Sequence, residues 1–352
     1  LQNSWTATSV VHFEKSGDRA HQVSPLIEAI PLTPTEEILI QNANLEILSE
    51  NRKMIAPPHM RPFPYQPEER VTGGTGLIQS FAQCPFQAFS RYRLHLRSPE
   101  IENEGINAKI RGILLHEILE KLWGKLKDFK TLLNTSQDAL IDMIHEVMLG
   151  CQPKIEAFGI GALYWEVEQR RLKEVLLAWF ELEKQRAPFS VLKTEHWASI
   201  ELEGISMRCR LDRVDITEEG VPIILDYKTG QVNLKECFGE RMDAPQLPLY
   251  CFADYPPNPK GVVFAQLGRD KLNFIGVTEG IGLLPGVGDV STLKHADVQT
   301  WEALLDLWKQ ELSPLIQGIK QGHHEVSPKS PTSCTYCDLT SFCRVFEETP
   351  WN

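Results

Sequence analysis

The strongest constraint on this chain is a run of period-two hydrophobicity between Val191 and Tyr227. Val191–Leu202, Ile205–Ile216 and Val221–Tyr227 read as three strands, the last so continuously apolar that it suits the middle of a sheet. A turn at Glu218–Gly220 makes the second and third a hairpin. Side chains two apart leave the same face of a strand, so Asp226 and Lys228 share one. Asp212 lies on the other arm of the hairpin.

Around these strands the period is helical. Leu77–Leu96 carries Phe81, Phe86, Phe89 and Tyr92 on an apolar side and ends in Arg91, Arg93 and Arg97, a group able to grip a nucleic-acid backbone or simply to solvate a helix end. Ile110–Leu126 is strongly amphipathic and includes His116, with the small Gly112 one turn before it. Further helices are expected over Ser136–Leu149, Trp165–Arg186, around Ala244–Ala253 and over Val298–Gly322, with strands near Gly261–Leu267 and Leu272–Val277. Helices, antiparallel strands, a helix and a strand in that order indicate an α/β or α+β domain with helices flanking a central mixed sheet.

Residues 1–75 differ in character. They are rich in Pro and polar residues, with short apolar patches at Ile27–Leu32 and Ile38–Leu48 and four prolines within Ala56–Gln66. They are expected to be a tail or linker, the end of an upstream module, and the start at Leu1 fits a piece of a longer protein. The main domain is placed at 76–346, with a short tail at 347–352. The formal net charge of −11 argues against nonspecific coating of nucleic acid, yet leaves room for a carboxylate-lined enzyme site with a local basic strip. No apolar run is long enough to cross a bilayer and no secretory signal is apparent, so no membrane association is expected and the cytoplasm is the default compartment.

Asp226 and Lys228 side by side at the end of an apolar strand are costly unless they share a task. Asp-x-Lys is also common as a surface salt bridge, and the surroundings decide between the two. Asp212 stands across the hairpin, His116 lies on an upstream helix, and Gln246 and Tyr250 fall one helical turn apart downstream. Phosphodiester hydrolysis would use this set. Two carboxylates can hold Mg²⁺ or Mn²⁺ against a phosphate oxygen, the ion neutralises transition-state charge and activates water, and a lysine orients the water or stabilises charge. Arg213 and Asp215 read as a structural ion pair.

Gly112-Ile-Leu-Leu-His116, Arg210-Leu-Asp-Arg-Val-Asp215, Asp226-Tyr-Lys-Thr-Gly230 and Gln246-Leu-Pro-Leu-Tyr250 occur in the order found in RecB-like PD-(D/E)XK nucleases. With Cys84-Pro-Phe and the C-terminal cysteines, the chain resembles the iron–sulfur, AddB-type branch of that family over roughly residues 76–346. The resemblance implies a restriction-endonuclease-like core with a helical insertion and a cysteine-rich C-terminal staple. It implies metal ligation by His116, Asp212, Asp226 and the backbone carbonyl of Tyr227, a catalytic Lys228, and Gln246 and Tyr250 contacting DNA or shaping the site. One departure is Cys209, where the family carries Gly. The implied activity is a DNase working on single-stranded DNA ends with a helicase module or subunit in DNA repair; the alternative is a non-catalytic DNA-end-binding or scaffold domain that kept the fold.

Of eight cysteines, Cys334, Cys337 and Cys343 form a group bounded by Pro and Ser, one thiolate short of a complete tetrathiolate site. Spacing alone suits Zn²⁺ and an iron–sulfur cluster equally. The resemblance implies a [4Fe–4S] cluster with Cys84 as fourth ligand, tying the two ends of the domain together. Gly73-Gly-Thr-Gly76 and the Gly280–Gly288 stretch lack the Gly-Lys-Ser/Thr of a P-loop, so ATP hydrolysis is not expected. His323-His324 reads as a solvated loop pair.

Overall fold

The computed structural model describes residues 62–66, 69, 71–98, 105–268, 271–293 and 298–346, with the backbone of 15–16 and 19–20. The patches Ile27–Leu32 and Ile38–Leu48 and the tail at 347–352 lie outside the described residues. The chain divides into two compact units, Leu1–Met60 and Arg61–Asn352. In the first, Lys15–Ser16 pairs antiparallel with Arg19–Ala20.

The second unit holds α1 (Gly74–Gln83), α2 (Pro85–Ala88), a π-helical turn (Phe89–Arg93), α3 (Ala108–Leu126), α4 (Phe129–Asn134), α5 (Gln137–Leu149), α6 (Gln152–Ala157) and α7 (Ala162–Glu183). There follow β1 (Phe189–Leu202), β2 (Ile205–Thr217), β3 (Pro222–Lys228), α8 (Gln246–Tyr250), β4 (Gly261–Leu267), β5 (Leu272–Thr278), β6 (Gly288–Asp289), α9 (Trp301–Gln321), α10 (Pro331–Thr335) and α11 (Thr340–Cys343). The six strands form one sheet in chain order. Pairing is antiparallel for β1/β2, β2/β3 and β4/β5 and parallel for β3/β4 and β5/β6, so the sheet is mixed as expected.

Alternation along the central strands supplies two cores. Ile224, Val262 and Phe264 pack with α1, α8 and α9 on one face; Ile223, Leu225, Val263 and Ala265 pack with α3, α5 and α7 on the other. That is why β3 and β4 read as continuous apolar runs: both faces are covered.

Two helices depart from the periodic reading. Leu77–Leu96 is not one helix, because Cys84 is extended (φ −167°, ψ 123°) and Pro85 opens a new turn. Proline disfavours α geometry in the residue before it, and apolar spacing on both sides hid the break. Ala244–Ala253 shrinks to the single turn of α8, with Pro245 before it and Pro248 inside.

The Gly-rich stretch before α1 has a packing role. Gly74 has φ +51°, and a Cβ there would overlap the Arg208 carbonyl oxygen of β2. Only glycine lets the helix start approach the strand so closely. Cys209 beside it is buried opposite Ala198, and β1/β2 pairing continues on both sides. His324 is not solvated: it is buried, hydrogen-bonds to the Gly322 carbonyl at 2.9 Å and stacks near Phe89.

A closed ring of buried charges joins α7 to the hairpin. Arg213 meets Asp215 through Nε and Nη2 at 2.6 and 2.7 Å and Glu183 through Nη1 at 2.8 Å. Arg186 lies just past α7 and bridges Glu183 at 2.7 Å and Asp215 at 2.8 Å. The Arg213 guanidinium also lies 3.7 Å from the centre of the Trp123 ring. Asp215 and Arg213 are thus the structural pair expected, in a larger neutral set. Arg213→Met leaves two buried carboxylates short of a counter-charge and should cost about 3–5 kcal/mol. Arg170→Ala, which breaks an exposed pair with Glu166, should cost under about 1 kcal/mol. Urea unfolding midpoints of the two variants test the contrast.

Candidate active site

The site forms where β2 and β3 part. Their pairing runs from Ile216/Pro222 to Arg213/Leu225. Beyond it, the Tyr227 N–H donates to the Asp212 carboxylate (Oδ2, 2.7 Å). β2 stays paired with β1, and β3 continues with β4 as far as Lys228/Gln266. The fork therefore opens between two well-held strands, with an acidic residue on each prong.

His116 reaches it from α3. Its Nε2 lies 3.1 Å from the Tyr227 carbonyl oxygen, and its Nδ1 faces Asp212 Oδ1 at 3.4 Å and Glu195 Oε1 at 3.5 Å. Burial disfavours the protonated ring, but the two carboxylates outweigh it and lift His116 to about 10. Burial and the neighbouring Asp226 push Asp212 above the usual carboxylate range, against the pull of His116 and the Tyr227 N–H.

On the β3 side, Lys228 Nζ lies 2.6 Å from Asp226 Oδ2, as expected for side chains on one face of the strand. The Tyr250 hydroxyl donates to Asp226 Oδ1 at 3.1 Å and lies 3.3 Å from the Arg210 carbonyl. Burial, then Asp226 and Asp212, hold the phenol well above its usual range, so it stays a donor. Burial opposes the Lys228 charge, but Asp226 more than offsets it and the ammonium sits above its ordinary value. Gln246 opens the same turn, half-buried.

Glu195 is the residue that sequence reasoning missed. Thr194 pairs with Arg213 and His196 with Leu211, so Glu195 stands opposite Asp212, in the left-handed region at φ +48°. Its other oxygen takes Arg210 Nε at 2.5 Å. A signal existed. The two-residue Glu203-Gly204 turn has φ +53° and +72°, both positive as a tight hairpin requires, and pairs Leu202 with Ile205. Counting back from that pair reaches Glu195 opposite Asp212.

His116, Glu195 and Asp212 offer ligand atoms that all lie within 4.8 Å of one another, the one such set of three or more among the described residues. One imidazole and two carboxylates suit a hard divalent ion, and a cation would relieve the repulsion felt by Asp212. Asp226 stands outside this tight set, with its oxygens directed to Tyr250 and Lys228. A cleft of about 450 Å³ opens beside His116 and Glu195, lined also by Gly112, Glu117, Lys121 and Arg210 among others.

The three arginines at the end of the π-helical turn have internal partners. Arg91 pairs with Asp338, Arg93 with Glu69 and the Phe63 and Pro64 carbonyls, and Arg97 with the Arg91 carbonyl. The Arg91–Asp338 pair helps to seat the cysteine segment on α2, with Gln87 Nε2 3.4 Å from Cys337 Sγ. Burial and then Cys337, Cys343 and Cys84 raise the Cys334 thiol.

The PD-(D/E)XK nuclease superfamily model matches residues 77–344. Among curated proteins, the exonuclease/helicase subunit RexB of Lactococcus lactis subsp. cremoris is 22% identical over 325 residues, covering 78% of this chain and 29% of the relative. An ATP-dependent helicase/deoxyribonuclease subunit of Natranaerobius thermophilus is 25% identical over 193 residues, covering 48% of this chain and 16% of the relative. This chain therefore spans less than a third of the relatives' length. Among solved structures, a protein of Eubacterium rectale provisionally named an exonuclease aligns at 13% identity and TM-score 0.42, over 80% of this chain and 90% of that one, too slight a likeness to carry weight.

If His116, Glu195 and Asp212 hold an ion, Mn²⁺ at about 100 times its dissociation constant should stabilise the protein by about 2.7 kcal/mol. Glu195→Gln should weaken Mn²⁺ affinity roughly tenfold, in the range seen for disturbed metal shells. Isothermal titration and thermal melts with and without Mn²⁺ check both; equal affinity in the variant would remove Glu195 from the ligand set.

Proposed function

This chain belongs to the PD-(D/E)XK nuclease superfamily, and from that premise we propose that it is a divalent-metal-dependent deoxyribonuclease acting on single-stranded DNA ends. The reading rests above all on the fork between β2 and β3, where His116, Glu195 and Asp212 face Asp226 and Lys228 across the Tyr227 backbone. In it, Asp212, Glu195 and His116, which gives up its proton to solvent as the ion enters, would hold Mg²⁺ or Mn²⁺, with Asp226 and the Tyr227 carbonyl completing the set. The bound ion would supply charge neutralisation at the scissile phosphate.

The remaining steps belong to the chain's own groups. Lys228 stays protonated beside Asp226 and presents its N–H bonds to the attacking water and to developing negative charge. The Tyr250 hydroxyl fixes the Asp226 carboxylate, so Lys228 and Asp226 keep one relative orientation. Gln246, one turn before Tyr250, is a contact for the DNA backbone. A Cβ on Gly112 would meet nothing within 4 Å, so its smallness is not a packing need and leaves room in the cleft for a strand.

Cys84, Cys334, Cys337 and Cys343 are read as ligands of a [4Fe–4S] cluster. Tetrahedral zinc is the alternative, since Cys-x-x-Cys is equally a zinc half-site, and the motif resemblance favours the cluster. The cluster would staple the start of the domain to its end. The curated relatives are named as helicase and nuclease subunits, so a helicase module or subunit is the natural partner, in DNA repair in the cytoplasm. No helix among the described residues is long and apolar enough to cross a membrane.

Linear single-stranded DNA incubated with Mn²⁺ and anaerobically prepared protein should be degraded. Lys228→Ala and Asp226→Asn should each lower the rate by roughly 10²–10³-fold, as for loss of one electrostatic stabiliser. Wild-type protein as inert as Lys228→Ala, with iron and sulfide present at about four each per chain, would favour the non-catalytic end-binding reading.

A further inference from the structure

Next to the fork, the β1/β2 hairpin carries an exposed strip that the hydrolytic chemistry does not use. Arg208 and Arg210 alternate with the buried Met207, Cys209 and Leu211, so both project from the open side of β2. Trp197 of β1 lies directly opposite Arg210 in register and Ser199 opposite Arg208. The indole is 53% exposed, an unusual state for so large a ring beside a well-packed sheet. The Arg208 guanidinium sits 4.7 Å from its ring centre and holds it in place.

A groove of about 450 Å³ runs along this strip, bounded by Trp197, Arg208 and Arg210 on one side and Thr72–Thr75 on the other. None of the residues lining it is acidic, although the chain as a whole carries a net charge of −11. Arg210 belongs both to this groove and to the active-site cleft, where it meets Glu195. The groove and the metal-ligand set are therefore adjacent and joined through one side chain.

We propose that this groove is a nucleotide subsite in which Trp197 stacks a base of single-stranded DNA and Arg210 faces its phosphate, feeding the strand towards the fork. Three observations select single-stranded nucleic acid over a protein partner: a half-open indole pinned by a guanidinium, a basic lining with no acidic residue in the groove itself although Arg210 meets Glu195 on the cleft side, and continuity with the candidate catalytic cleft. Stacking on an aromatic side chain tolerates any base, because every base offers a π-face, and a basic groove tracks the backbone. The proposal rests on the nuclease reading for its purpose, but base stacking can be measured without cleavage.

The experiment is binding of fluorescent oligo(dT) to the full chain in EDTA, with wild type, Trp197→Ala and Trp197→Phe. Trp197→Ala should weaken binding about tenfold or more, and Trp197→Phe should restore most of it. The Trp197→Ala penalty should vanish on an abasic strand, which separates stacking from phosphate contact. Thermal melts of both Trp197 variants should match wild type, since the ring is half exposed. Undiminished oligo(dT) binding by Trp197→Ala, an equal penalty on abasic DNA, or no binding by wild type would each overturn the subsite. If wild type cleaves with Mn²⁺ while Trp197→Ala binds normally, the subsite fails and the nuclease stands. If no cleavage occurs yet Trp197→Ala loses binding, the nuclease fails and the subsite stands.

Discussion

Tyr227 is gripped at three points, and the geometry of the candidate site depends on that grip. Its N–H is taken by Asp212, its carbonyl meets His116 from α3, and its phenol lies 3.3 Å from Arg213 in the buried ion ring. A regular hairpin would have satisfied the N–H with a backbone carbonyl. Here a carboxylate substitutes for it, the strands separate, and acidic side chains from β2 and β3 can face a common space. Burial raises the phenol's pKa against the pull of Arg213, with Glu183 adding to the rise, so it stays neutral inside the ring. The ring itself is balanced by two arginines against two carboxylates, so it can sit fully buried without an unpaired charge.

Charge at the fork is balanced in a similar way. The carboxylates that would repel a polyanion are gathered there, where His116, Lys228 and Arg210 face them. Glu195 illustrates the strain involved. A left-handed backbone is unfavourable for a non-glycine residue, and it persists here because the hairpin register on both sides leaves Glu195 no other position.

The ends of the second unit are drawn together by ordinary contacts, independent of any bound group. Arg241 donates to the carbonyls of Ala82, Gln83 and Ser327. The backbone of Lys329 bonds to Gln83, and that of Phe86 to Glu325. The residues upstream of α1 join in, since Phe63 and Tyr65 donate to the carbonyls of Gly322 and Lys320 at the end of α9. Segments far apart in the chain thus meet at one place, beside the four cysteines. Closing so long a loop costs only slowly increasing entropy with length, which a few such bonds can offset.

Local sequence determined the strands, the long helices and the sharing of one face by Asp226 and Lys228, because alternation and helical spacing act over a few residues. It also determined the Arg213–Asp215 pair. Proline breaks and turn counting were local signals that the surrounding apolar spacing masked, and the tertiary structure decided the rest. Cys84 and Pro85 broke a helix whose apolar spacing continued across the break, and Pro245 and Pro248 cut another to one turn. Glu195 entered the site through hairpin register, a count of residues between strands that hydropathy does not carry. The meeting of His116 with the hairpin depended on how α3 packs across the sheet, a long-range contact fixed only when both cores are filled.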